Sequence, residues 1–291
     1  MIPLPRALVL ALGFYFGIPV VQISGTLQGQ TAPTDSILAI AHTLFTEASI
    51  LANQGHQDEA ESKFQRVLDI REKALGLDHP DVALALHNLG FIYNAQGRYA
   101  EAEPLLRRAL IIREAALGPQ HLEVALTLNS LAFTYGVRSR YEEAEPLYER
   151  ALAIDEIVLG PNHLEVAHVL SNLGMLYDDL DRYIEARSVY ERVLAIRETV
   201  LGLGHPDVAD ALINLASLYH HQALYAEAIP LYRRSLDIRE VEFGPEHSDT
   251  GLALENLILA CELFFALPYI VQEQQSITAP ESMTVLCRPS P

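Results

Sequence analysis

Two histidines flank a glutamate in GPNHLEVAHVL, residues 160 to 170, a combination that raises metal-assisted hydrolysis. Two imidazoles four residues apart on a helix, with a glutamate beside the first, hold zinc and supply a general base. His163 and His168 are five apart. At about 100° per residue their side chains diverge by roughly 140°, so one helix cannot aim both at one ion. Further along, Asp178, Asp179, Asp210, His220 and His221 combine acids with imidazoles, a set that suits a basic side chain or a divalent metal. The two cysteines, Cys261 and Cys287, have no metal-like spacing and form no disulfide framework, and pairing between them stays open. No serine, histidine and acid constellation, phosphate-cradling glycine loop or pair of catalytic carboxylates stands out, so the chain reads as non-enzymatic and without a cofactor.

These side chains are carried by a repeat. HNLGFIY, NSLAFTY, SNLGMLY and INLASLY begin at 87, 129, 171 and 213, each 42 residues after the last, and ENLILAC follows at 255. Gly76, Gly118, Gly160, Gly202 and Gly244 keep the same period, as do His79, His121, His163, His205 and His247. Within one period the apolar residues recur at helical spacing and glycines and prolines fall between the runs, which makes each unit two helices. Helix A is typified by residues 81 to 96, where Leu86, Leu89, Gly90 and Tyr93 share a face, and Gly97 suits the left-handed position that ends it. Helix B follows over 99 to 117, with Ala102, Leu106, Ala109 and Leu110 as its stripe. Gly90, Ala132, Gly174 and Ala216 let helix B approach helix A closely, while Tyr93, Tyr135, Tyr177 and Tyr219 fill the gap one turn later. His79 and His205 precede Pro80 and Pro206, which fit a first helical position, and Asp81 and Asp207 favour the positive end of the helix dipole. Each loop histidine therefore marks a helix start and bonds to local backbone.

With 291 residues, half of them apolar, the chain has material for a substantial core. Its formal charge of -18 repels phosphate backbones and anionic lipid, which disfavours nucleic acid and membrane surfaces and favours a basic partner. Arg6 precedes fifteen uncharged, mostly apolar residues, 7 to 21, which fit a signal-peptide core better than a spanning helix. An exported protein is the leading expectation, with a membrane-anchored or cytoplasmic one as alternatives. The chain divides into this segment at 1–32, the repeats at 33–267, and a mostly unstructured tail at 268–291.

Leu-x-x-Leu-Gly/Ala-x-x-Tyr, followed by Ala, a bulky apolar residue and Ala, resembles the tetratricopeptide repeat over residues 39 to 263, in the 42-residue form found in kinesin light chains. The resemblance implies an all-α, right-handed superhelical solenoid of antiparallel helix pairs, about five pairs plus a C-terminal capping helix. It also implies a scaffold that binds a protein or an extended peptide in its concave groove. The lysine and arginine cradle that some such domains use for a C-terminal carboxylate is absent.

The concave wall of such a stack is the outward side of each helix A, so positions equivalent to Leu84, His87, Asn88, Phe91, Asn94 and Ala95 are expected to be exposed. One row, Phe45, Phe91, Phe133 and Met175, either offers pockets for peptide side chains or packs between neighbouring helices A. A second row reads Thr46, Asn88, Ser130, Asn172, Asn214 and Asn256. By resemblance Asn88, Asn172, Asn214 and Asn256 hold a peptide backbone, since an amide both donates and accepts; the alternative is that they bridge helices. His168, equivalent to Leu84, lies on the rim, and Asp178, Asp179, Asp210 and His221 complete the candidate peptide-binding set. Besides the scaffold, two readings stay open: a metal-binding or metal-dependent enzyme using the aspartate and histidine cluster, and a purely structural spacer. Phe264, Phe265, Leu267, Tyr269 and Ile270 crowd the last repeat, which points to a covering tail or a weak end-to-end homodimer.

Overall fold

The computed structural model describes residues 32–267 and 280–287. The leader-like segment up to residue 31 lies outside the described residues, as do 268–279 and 288–291 of the tail. In order, the helices are α1 (Ala32–Asn53), α2 (Gln57–Leu75), α3 (Pro80–Ala95), α4 (Tyr99–Leu117), α5 (Leu122–Gly136) and α6 (Tyr141–Leu159). They continue as α7 (Leu164–Asp179), α8 (Tyr183–Leu201), α9 (Pro206–His221), α10 (Tyr225–Phe243), α11 (Ser248–Ala266) and α12 (Pro280–Leu286). The described residues are all-α, and α1 to α10 are the five expected helix pairs, with α11 as a further helix A.

Two compact units comprise residues 32–158 and 159–287 of the described chain. Phe45, Phe64, Leu86, Leu89, Ile92 and Ile112 lead the core of the first. In the second, Ile213, Ile229, Tyr232, Leu257 and Phe264 share an apolar cluster. Among the described residues only Thr34–Asn53 is long and apolar enough to cross a membrane. Its Ala41, Phe45, Ala48 and Ala52 are buried, the last three in the core of the first unit.

Close approach of A to B depends on the small residues. A methyl on Gly90 would lie 2.8 Å from Cγ of Leu106, and one on Gly174 would lie 2.6 Å from Cε1 of Tyr190. The turn from B to the next A uses Gly76, Gly118, Gly202 and Gly244 at φ of 86° to 90° and ψ of 155° to 165°, a region that a side chain excludes. The turn from A to B needs a left-handed residue, and Gly97 supplies one at φ 74°. Ser139, Asp181 and Ala223 adopt the same conformation at the equivalent positions of later repeats.

Buried arginines join successive repeats within each unit. Arg71 and Arg113 donate from Nη1 to the carbonyls of Asp81 and Glu123, at 2.9 and 3.0 Å. Arg197 and Arg239 donate likewise to the carbonyls of Asp207 and Asp249, both at 2.8 Å. Each links the end of a helix B to the first turn of the following helix A. Such charge-assisted bonds are stronger than neutral ones. The equivalent residue between Arg113 and Arg197 is Asp155, also buried.

The expectation of a mostly unstructured tail is corrected over its described part. α12 packs against α10, Met283 is buried, and Cys287 is bonded to Cys261 of α11. Leu286 and Cys287 pack on the same apolar cluster. Phe264, expected to crowd an open end, is 1% exposed, whereas Phe265 remains 49% exposed.

Candidate functional site

The histidines of the opening pattern have separate roles. His163 caps α7, its Nδ1 accepting from the amide of Glu165 at 3.2 Å. His79, His121, His205 and His247 do the same for Asp81, Glu123, Asp207 and Asp249 at 3.1 to 3.2 Å. Each ring satisfies an amide that the first helical turn leaves without a partner. His168 stands on α7 with Nδ1 3.5 Å from a carboxylate oxygen of Glu165, and that contact lowers the pKa of the glutamate.

In the first unit the expected groove wall is largely closed. Asn88 is 4% exposed and donates to the carbonyl of Leu84 at 2.8 Å, so its amide is used within its own helix and does not reach a ligand. His87 and Asn94 are buried as well. Asn94 receives a bond from Thr134 Oγ1 at 3.0 Å and donates to the carbonyl of Ser130 at 3.4 Å, bridging α3 to α5. Phe45, expected on the wall, is a core residue, edge-on to Phe64 with Arg71 over its face. α3 packs on α2, α4 and α5, and its arc carrying His87 and Asn88 is buried. Phe91 and Phe133 are half-buried, and Phe133 stands edge-on to Tyr99.

The second unit keeps more of its wall open. Asn172, Asn214 and Asn256 occupy equivalent positions on α7, α9 and α11 and all are half-buried. Neither Asn214 nor Asn256 makes a side-chain hydrogen bond among the described residues. Met175, half-buried, lies one turn beyond Asn172, and Leu259, 42% exposed, lies one turn beyond Asn256. At the far end of these helices Asp178 Oδ2 and His221 Nδ1 are 2.8 Å apart, which joins α7 to α9, and Asp179 is exposed. Asp210 is engaged from behind by Arg239 at 2.6 Å.

Burial and the neighbouring His221 lower the pKa of His220, whose ring packs edge-on to Tyr225. Burial first, then Asp178 and Asp179, raises that of the Tyr190 hydroxyl. Aspartates and neutral imidazole at this end suit a cationic side chain. Among the described residues no three of His, Cys, Asp or Glu converge as metal ligands, so the pair Asp178 and His221 stands without a third donor.

Reading by residue pattern did not find the buried arginines, although Arg71, Arg113, Arg197 and Arg239 fall on the 42-residue grid. It also missed the stacking of Arg98, Arg140 and Arg182 on Tyr93, Tyr135 and Tyr177, at 4.0 to 4.2 Å from the ring centres.

Helix pairs of this length, with small residues at the A–B contact and tyrosines one turn on, define a helical-repeat scaffold. The sequence matches the tetratricopeptide repeat over residues 39–115, 81–156, 123–199 and 207–263, and the chain belongs to that family. Two similar solved structures are a kinesin-light-chain-type protein of Podosopora anserina with nearly identical repeats and BtubC (BKLC) from P. vanneervenii. The first is 25% identical with a TM-score of 0.59, and the match covers 71% of this chain and 98% of that one. BtubC is 26% identical with a TM-score of 0.58, covering 74% and 94%. The apo form of RapI shares the fold at 14% identity and a TM-score of 0.59, covering 85% of this chain and 81% of its own. No curated protein matches the sequence significantly.

Proposed function

We propose that the chain is a non-enzymatic scaffold whose second unit binds an extended segment of a partner protein along the helix-A face of α7, α9 and α11. The observation that carries this reading is the row Asn172, Asn214 and Asn256, in which Asn214 and Asn256 leave amides uncommitted at successive repeats. An extended backbone offers donors and acceptors at regular intervals, and a half-exposed amide answers both. Met175 and Leu259 supply apolar contact beside the row, and Asp178 and Asp179 favour a basic residue in the partner. The likeness to kinesin-light-chain-type repeats supports an interaction scaffold.

The test uses peptides selected from a displayed random library on the wild-type chain, with dissociation constants measured by fluorescence anisotropy. Asn172→Ala with Asn214→Ala is expected to weaken binding tenfold or more at unchanged helicity. Unchanged affinity in the double variant would favour the spacer reading. We also infer that the protein is exported. The apolar segment 7–21 and the Cys261–Cys287 disulfide support this together, because disulfides persist in oxidising compartments.

A further inference from the structure

In four repeats a tyrosine, Tyr93, Tyr135, Tyr177 or Tyr219, fills the space between a helix A and its neighbours; in the last the equivalent residue is Cys261. No full helix B follows α11 among the described residues. Seven-residue α12 packs on α10 instead, with Met283 at 3% exposure in one cluster with Ile229, Tyr232, Leu257 and Phe264. Arg233 of α10 reaches the carbonyl of Leu286 at 2.8 Å from Nε.

A helix this short is not stable by itself in water. Among the described side chains of 283–287, Met283 is buried, and the half-buried Leu286 and Cys287 sit at the end. Fixing the backbone of seven residues opposes that gain, since each ordered residue loses conformational entropy comparable to what a buried side chain contributes. The cross-link to Cys261 raises the effective concentration of so short a helix at the α10–α11 edge.

We propose that the Cys261–Cys287 disulfide is a redox latch: oxidised, it keeps α12 seated as a seal over the apolar edge of α10 and α11, and reduction releases the seal. A dithiol reductant opens the latch. It supplies two electrons and two protons, ends as its own disulfide, and leaves Cys261 and Cys287 as two thiols. The opened edge carries Ile229, Leu257 and Phe264, which α12 had helped to cover, and it continues into the exposed Ile258 and Phe265 of α11.

Hydrogen–deuterium exchange on the full chain, oxidised and after dithiothreitol, tests the latch. Peptide mass without reductant first establishes whether the disulfide is formed. On reduction, amides of residues 280–287 are expected to exchange at least tenfold faster, and those of α11 around Leu257 several-fold faster. Amides of α3 and α4 should be unchanged. Cys287→Ser should reproduce the reduced pattern without reductant. Equal exchange at 280–287 in both redox states would overturn the proposal, because packing alone would then hold α12, and so would protein purified without reductant in which both thiols are free. Loss of protection throughout the second unit would also overturn it, since the bond would then be part of the core.

Discussion

Acidification should cost the first unit stability through one ring, His87. The side chain is 6% exposed, its Nδ1 has no hydrogen-bond partner among the described residues, and the buried Arg113 acts on it electrostatically. Burial first, and the positive charge of Arg113 second, hold its pKa well below the ordinary histidine value. In the unfolded chain the same ring takes a proton near pH 6.5. Below that pH the unfolded state binds a proton that the folded state refuses, so the stability present above about pH 6.5 is lost as pH falls. The loss approaches about 1.4 kcal/mol per pH unit, or up to about 2 kcal/mol between pH 6.5 and 5. His87→Ile removes the proton site using the residue found at the equivalent Ile213. Urea unfolding of wild type and variant at pH 7.5, 6.5, 5.5 and 5.0 gives the difference between them. That difference isolates His87 from His220, which responds in the same direction in both proteins, and from Glu61 and Glu101. The pKa values of those two carboxyls are lowered, so their contribution is lost only at more acidic pH. Parallel pH curves for the two proteins would refute the reasoning, because a ring that titrates as in water is not buried beside Arg113.

Two further substitutions probe the repeat itself. Gly174→Ala sets a methyl 2.6 Å from the 3%-exposed Tyr190 ring; overpacking of about 1–3 kcal/mol outweighs about 1 kcal/mol of helix propensity, so thermal unfolding should show a net loss. A more stable variant would mean that the pair yields as readily as Ala132 and Tyr148 coexist at the equivalent positions. His163→Ala should lower stability by about 1 kcal/mol and His163→Asp should restore it, as read by denaturant midpoint. An aspartate as weak as alanine would show that the ring acts through packing and not as an acceptor.

The 42-residue grid made the fold legible, because glycines and histidines that recur in register can only be turns and caps of a repeated unit. Exposure along the helix-A rows was legible in the second unit more than in the first. Helical spacing tells which residues leave the A–B contact, but it does not separate an arc that faces solvent from one that faces the next helix A. His87, Asn88 and Asn94 fell on the wrong side of that distinction, and Asn172, Asn214 and Asn256 remain half-open. The arginines were missed for a related reason: a charged side chain is usually exposed, and only its recurrence marks it otherwise. The cysteine pair carried no spacing signal. Its one clue was that Cys261 stands where the other repeats have tyrosine.

The arginine links also give the chain a direction. Each runs from a helix B forward to the backbone of the next helix A, so a repeat depends on its successor for the acceptor of a buried cation. Burial of Arg113 moves its pKa down to about 10, still charged at neutral pH. A fragment ending after Gly202 would lose the acceptor of Arg197, and one ending after Gly118 that of Arg113. A fragment ending at Gly160 keeps the acceptors of both Arg71 and Arg113 within it. The repeats look interchangeable along the sequence, yet a chain divided after Gly118 or Gly202 loses the acceptor of a buried arginine.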